Sequence, residues 1–250
     1  MGISIYFLQN NGLIVHYPPN SFFTGRGHSL KIYKAVFIFM PVAIVLAFLW
    51  APVAAGLGDT SKIVYFHVPI SWVSVLAYIV SGIISIIYLA DKNKKFINLE
   101  EKAYNSAIIG FLFTILSTVT GTIWAKISWG SYWSWDPRQT SITILLLIYL
   151  TYFSLRYALH DNRLKGKICA CYLILIMIIV PFFIFVLPRM SATLHPNPII
   201  NPDKQIHVFS SMRIVLFLSL ISFTLLYFYL FFLKNRVSRI GNKVLSKLNN

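Results

Sequence analysis

The chain has 250 residues, of which 57% are hydrophobic and 12% charged. That balance lies outside the composition of soluble domains and excludes one. Lys and Arg outnumber Asp and Glu by 22 to 7, a formal charge of +15; a surplus of this size would suit a nucleic-acid binder, and its distribution along the chain decides against that.

Residues 1–30 contain NNGLIVHYPPNSFFTGRGHS, with Pro, Gly and Asn punctuation and no sustained period. They lack the basic start, apolar stretch and small-residue cleavage site of a signal peptide and read as a poorly ordered tail. From residue 31 onward the pattern changes. A hydrocarbon core about 30 Å thick takes roughly 20 apolar residues per helix, and six runs approach that length: 35–57, 68–90, 104–125, 141–159, 168–187 and 214–233. The expected fold class is an all-α membrane protein of six transmembrane helices over 31–234, followed by a basic tail at 235–250.

The basic residues sort by connection. Those before the first run, between the second and third, between the fourth and fifth, and after the sixth hold sixteen of the 22 Lys and Arg. The other three connections hold Lys62, then Lys126 and Arg138, then Arg189, Lys204 and Arg213. The positive-inside rule then places both termini in the cytoplasm and the other three connections outside. Nucleic acid is not needed to explain the charge. Cys169 and Cys171 fall at the cytoplasmic entry of the fifth run as C-x-C in an apolar helix, which argues for core residues over a disulfide or thiol exchange.

The three external connections meet on one membrane surface. The first leads into KIVYFHVPISW, with His67 beside Pro69. The second contains SWGSYWSWDPRQ, which carries Trp129, Trp133 and Trp135, three of the chain's six tryptophans. The third contains PRMSATLHP, with His195 before a proline, and His207 further on. A single histidine at a membrane interface is ordinarily just a polar residue, but His67 and His195 both join an external segment to an apolar helix, next to residues that stiffen the backbone. Two neutral imidazoles across an aromatic floor suit axial ligation of haem iron. A tetrahedral zinc site would need four clustered ligands, and no cysteine or H-x-x-x-H spacing supplies them.

Asp136, Pro137 and Gln139 have the form of a helix start, with Asp as N-cap, Pro at the first helical position and Gln three residues on. Trp and Tyr also favour the headgroup layer of any bilayer, yet that does not account for the density here. A short interfacial helix is expected over 128–135, where Trp129, Tyr132 and Trp133 would share a face by i, i+3, i+4 spacing and form a shelf for a flat macrocycle. Arg138 could pair with a carboxylate such as a haem propionate.

WGSYWSWDPRQTS, KIVYFHVPISW and PRMSATLHP together resemble the tryptophan-rich WWD signature and flanking histidine segments of the haem-handling proteins of cytochrome c biogenesis. The length, six runs and WDPRQTS ending resemble the CcmC branch, haem exporter protein C, over roughly residues 31–234. The resemblance implies a non-enzymatic haem-binding protein of the bacterial inner membrane. It would hold haem b transiently at the periplasmic face, with His67 and His195 as axial ligands and Trp129, Gly130, Tyr132, Trp133, Trp135, Asp136 and Arg138 in the binding segment. It implies delivery of haem to the chaperone CcmE, which takes it covalently, with CcmA, CcmB and the single-span CcmD as neighbours. A second reading is a CcsA/CcsB-like cytochrome c haem lyase, whose members carry more spans and transmembrane histidines. A third is a multispan transporter with an aromatic mouth, which would show a polar track through the spans.

Overall fold

The computed structural model describes residues 26–53, 58–93, 95–96, 98–159, 162–190, 192–195 and 209–248. Six long helices occupy these residues: α1 (Arg26–Leu49), α2 (Val64–Ala90), α3 (Leu99–Trp129), α4 (Pro137–Ala158), α5 (Lys165–Pro181) and α6 (Ser210–Leu248). A 3-10 turn at Asp59–Ile63 leads into α2. Six helical segments among the described residues are long and apolar enough to cross a membrane.

Local chemistry explains where the helices start and stop. Asn98 takes a left-handed φ of 58° before α3, a conformation that asparagine tolerates, and Glu100 and Glu101 follow in the first turn, where the helix dipole favours acids. Past α5, Pro181 and Pro188 each lack a donor, and the chain between them widens into a π-helical turn at Phe182–Val186. α2, α3 and α6 outrun their apolar runs. The third span begins at Leu99 instead of 104, because a helix end beyond the hydrocarbon readily carries charge. At 39 residues, α6 is about 58 Å long by the ordinary rise per residue, so its Lys234–Lys247 segment projects past a core of about 30 Å. The first helix lies earlier than expected: α1 begins at Arg26, inside the stretch read as a tail, and stops at Leu49, and the N–H groups of Trp50 and Ala51 both donate to Leu46 O.

α2 is the central helix, packed against α3, α5 and α6, while α1 lies on α6. Small residues let α2 and α3 approach closely. Ser106 Oγ donates to Ala77 O at 2.7 Å, Ser81 Oγ donates to Ala103 O at 3.0 Å, and Gly110 leaves no room for a Cβ beside the Tyr78 ring. Such contacts replace the hydrophobic drive that lipid removes. The core between helices is closed by Tyr78, Leu145, Tyr149, Tyr152, Ile176 and Tyr227, whereas Leu147, Ile178 and Phe217 point outward, as a lipid-facing surface requires. Cys169 is in this core and Cys171 is exposed on the helix surface. The rigid α2–α3 pair carries one wall of the site described next.

Candidate functional site

One end of the bundle gathers the start of α2, the end of α3, the start of α4 and the segments following α5 around a cavity of about 390 Å³, within the range of small-molecule sites. Val75, Ile142, Phe183 and Ile184 give it apolar lining, and Trp124, Trp129, Trp133, Arg138, His67 and His195 line it as well.

His67 sits in the first turn of α2, facing α3. Its Nδ1 lies 2.9 Å from Thr120 Oγ1, and that hydroxyl lies 2.9 Å from Leu116 O and 3.2 Å from Ser117 O. A threonine hydroxyl has one proton, and both carbonyls can only accept. With that proton on the helix backbone, Oγ1 accepts the Nδ1–H of His67. That arrangement leaves the Nε2 lone pair for a ligand, as around metal-bound histidines. Gly121 makes the approach possible: a Cβ there would stand 3.0 Å from His67 Cε1. Behind the ring, Ser71 Oγ bonds to His67 O at 2.9 Å and to Ser117 Oγ at 2.5 Å.

The aromatic segment departs from the helix expected over 128–135. α3 runs through Trp129, then Gly130 adopts φ 79° with its N–H on Lys126 O, which ends the helix. Residues 131–136 are irregular, and Trp135 has a positive φ of 56°. Gln139 shapes this stretch: its Oε1 accepts from Ser134 N at 2.8 Å, and its Nε2 donates to Tyr132 O at 3.2 Å. The shared face of Trp129, Tyr132 and Trp133 is thereby lost. Trp129 and Trp133 line the cavity, while Tyr132 and Trp135 are 60% and 69% exposed. Trp135 packs edge-on against Trp133, and Lys126 sits over the Tyr132 ring.

Trp124 takes the place on the shelf that spacing assigned to Tyr132. It meets Trp129 edge to face with centroids 5.2 Å apart, and the His195 ring lies 5.4 Å from Trp124 and 6.4 Å from Trp129. His195 belongs to an irregular segment, 192–195.

Asp136 is the N-cap of α4, with Pro137 at the first helical position. Its Oδ1 accepts from Arg138 N at 3.0 Å. The same carboxylate, only 5% exposed, accepts from Thr193 Oγ1 at 2.8 and 3.0 Å and from Leu194 N at 2.8 Å. Gln139 does not complete a capping box, because its amide is spent on Ser134 and Tyr132.

Of the residues singled out from sequence, His67, His195, Trp129, Trp133 and Arg138 converge on the cavity, and Gly130, Tyr132, Trp135 and Asp136 lie outside its lining. His207 lies outside the described residues. Trp124, Thr120 and Thr193 were not singled out as site residues. Among the described residues no group of three His, Cys, Asp or Glu could cage a bare metal ion. Two imidazoles suit instead an iron whose other four ligands come from its own macrocycle.

The fold and the site thus define a multi-pass membrane protein with an aromatic cavity, lined by two imidazoles, at one end of its bundle. The profile of the family described as heme exporter protein C matches residues 16–248. The heme exporter protein C of Rhodobacter capsulatus is 31% identical over 198 residues, covering 77% of this chain and 78% of that one. That of Haemophilus influenzae is 31% identical over 200 residues, covering 80% of each. A ccmC-like mitochondrial protein of cytochrome c biosynthesis from Marchantia polymorpha is 34% identical over 195 residues, covering 78% of this chain and 81% of its own. The chain belongs to the heme exporter protein C family, a membrane component of cytochrome c biogenesis.

Proposed function

We propose that this protein holds haem b transiently at the outer face of the bacterial inner membrane and passes it to the chaperone CcmE. The observation that carries this reading is the 2.9 Å contact of His67 Nδ1 with Thr120 Oγ1, which leaves Nε2 for a ligand in the cavity that His195 also lines. Haem is the cargo. Trp124, Trp129 and Trp133 offer its ring apolar, polarizable surface. Arg138 supplies a cation at the cavity wall for a propionate. His67 and His195 supply neutral axial nitrogens. Such a site shields the iron, and its position at the end of the bundle leaves the cargo within reach of an external acceptor.

The charge distribution supports an orientation with both termini in the cytoplasm and the cavity on the periplasmic side. CcmA, CcmB and CcmD are the neighbours this reading expects. The protein itself breaks no bond in it; covalent attachment occurs on CcmE.

The test is the absorption spectrum of detergent-purified protein beside the His67→Ala and His195→Ala variants. Bands of low-spin bis-histidine haem in the wild type, lost or shifted in each variant, are expected. A well-folded wild type that takes up no haem on reconstitution would overturn the reading and favour a transporter with an aromatic mouth. Thioether formation on an apocytochrome by the purified protein would favour a haem lyase.

A further inference from the structure

We infer that Asp136 is a positioning residue for His195, acting through Thr193. The inference rests on the haem reading above. It starts from an excess of hydrogen bonding: capping α4 needs a single oxygen, and Oδ1 meets that need by accepting from Arg138 N. The rest of the carboxylate's capacity goes to a segment nearly sixty residues away. Oδ2 accepts from the Thr193 hydroxyl at 2.8 Å and from Leu194 N–H at 2.8 Å. Thr193 Oγ1 in turn accepts the backbone N–H of His195 at 3.1 Å. The aspartate thus fastens three consecutive residues, the last of which is the candidate ligand.

Two further facts give this clasp its purpose. Residues 192–195 have no helix to hold them, so His195 lacks the backbone support that α2 gives His67. The carboxylate is also 5% exposed and does not line the cavity, so its charge is directed at the protein and not at the cargo. Hydrogen bonds to an ionised acceptor are roughly twice as strong as neutral ones. Here they set the distance between the aromatic segment and the loop bearing the second imidazole, so that the His195 ring lies against Trp124 and Trp129.

Asp136→Asn separates the two duties. Asn caps a helix as well as Asp does, and its Oδ1 can stay on Arg138 N. Its amide donates where Oδ2 accepted, so the bond from Leu194 N–H is lost and the Thr193 hydroxyl keeps only its 3.0 Å contact with Oδ1. Thr193→Val removes the same link from the other side, and Thr193→Ser keeps the hydroxyl.

The experiment compares haem spectra and haem retention of the purified wild type, these three variants and His195→Ala. Asp136→Asn and Thr193→Val should fold and purify as the wild type does, shift from low-spin toward high-spin haem as His195→Ala does, and hold haem about 10- to 100-fold less well. Added imidazole should restore the low-spin bands in all three, and Thr193→Ser should match the wild type. Wild-type spectra in Asp136→Asn and Thr193→Val beside a shifted His195→Ala would overturn the clasp while leaving the ligand reading intact. So would haem loss in well-folded Asp136→Asn that imidazole does not repair, because the carboxylate would then act on the cargo itself. A wild-type spectrum in His195→Ala would remove the ligand reading and the clasp with it.

Discussion

Thr120→Val tests the tautomer lock on His67 most directly. Valine keeps the branched shape of threonine and removes only the hydroxyl, so the shape of the α3 surface beneath the ring is preserved. The His67 Nδ1–H, now 2.9 Å from Oγ1, would face a methyl group. Leaving such a donor unsatisfied in a largely enclosed site costs about 1–3 kcal/mol. The imidazole can escape that cost by moving its proton to Nε2 or by rotating, and either escape removes the lone pair from the ligand position. With each 1.4 kcal/mol worth about tenfold, haem affinity should fall roughly 10- to 100-fold, the scale found when a metal ligand loses its outer partner. Haem titrated into the detergent-purified protein and followed by absorbance reads this directly, with Thr120→Ser as the control expected to retain wild-type affinity. A Thr120→Val protein with wild-type affinity and low-spin bands would refute the lock. Gly121→Ala perturbs the same ring by shape: its Cβ, 3.0 Å from Cε1, displaces the imidazole by a few tenths of an ångström, and it should lower the low-spin fraction without lowering protein yield.

Trp124→Ala should weaken haem retention strongly, because both Trp129 and the His195 ring rest on that indole. Trp135→Ala, outside the cavity and 69% exposed, should retain haem nearly as the wild type does; equal losses in dialysis against a haem acceptor would mean the shelf extends beyond the cavity. At the other end of the bundle, Glu100 pairs with Arg156, whose guanidinium lies 4.0 Å from the Tyr104 ring centroid. Glu100→Ala strands a mostly buried cation at a cost on the order of 3 kcal/mol. It should lower the apparent melting temperature while the haem spectrum stays unchanged, and a shifted spectrum would mean that the two ends are coupled.

Six spans were legible because each needs only a run of apolar residues, a property that composition displays directly. Their ends were less so. Hydropathy stops at the first charges, whereas α3 carries Glu100 and Glu101 in its first turn and α6 continues to Leu248 through a basic stretch. The cap at Asp136–Pro137 was legible because capping is local chemistry. The fold of residues 128–135 was misread: i, i+3, i+4 spacing suggested a helix, while Gly130 was the helix stop that the spacing ignored. Trp124 adds to the density of the aromatic patch, but i, i+3, i+4 spacing leaves it off the shelf, five positions before Trp129 in an apolar run. Thr120 and Thr193 could not be found by pattern at all. Each matters through a partner that only the folded chain brings near, His67 across α2 and α3 in one case and Asp136 at the start of α4 in the other.

The two imidazoles are fastened unequally, and this asymmetry makes a prediction of its own. His67 lies on a helix, its ring held by Thr120 and backed by Gly121, so moving it means breaking a hydrogen bond and disturbing the closely packed α2–α3 pair. His195 lies on an irregular segment and is held by the Asp136 clasp and two ring contacts. Cargo handed to an external acceptor should therefore leave His195 first and His67 last. In equilibrium terms, a protein left with His67 alone retains the better-organised ligand, and a protein left with His195 alone retains the poorer one. Since the helix-borne ligand is the better organised of the two, His67→Ala should lose haem to apomyoglobin faster than His195→Ala. His195→Ala should meanwhile hold haem in a five-coordinate, high-spin form. If His195→Ala loses haem as fast as His67→Ala or faster, the helix-borne histidine is not the anchor, and release must begin on the α2–α3 side.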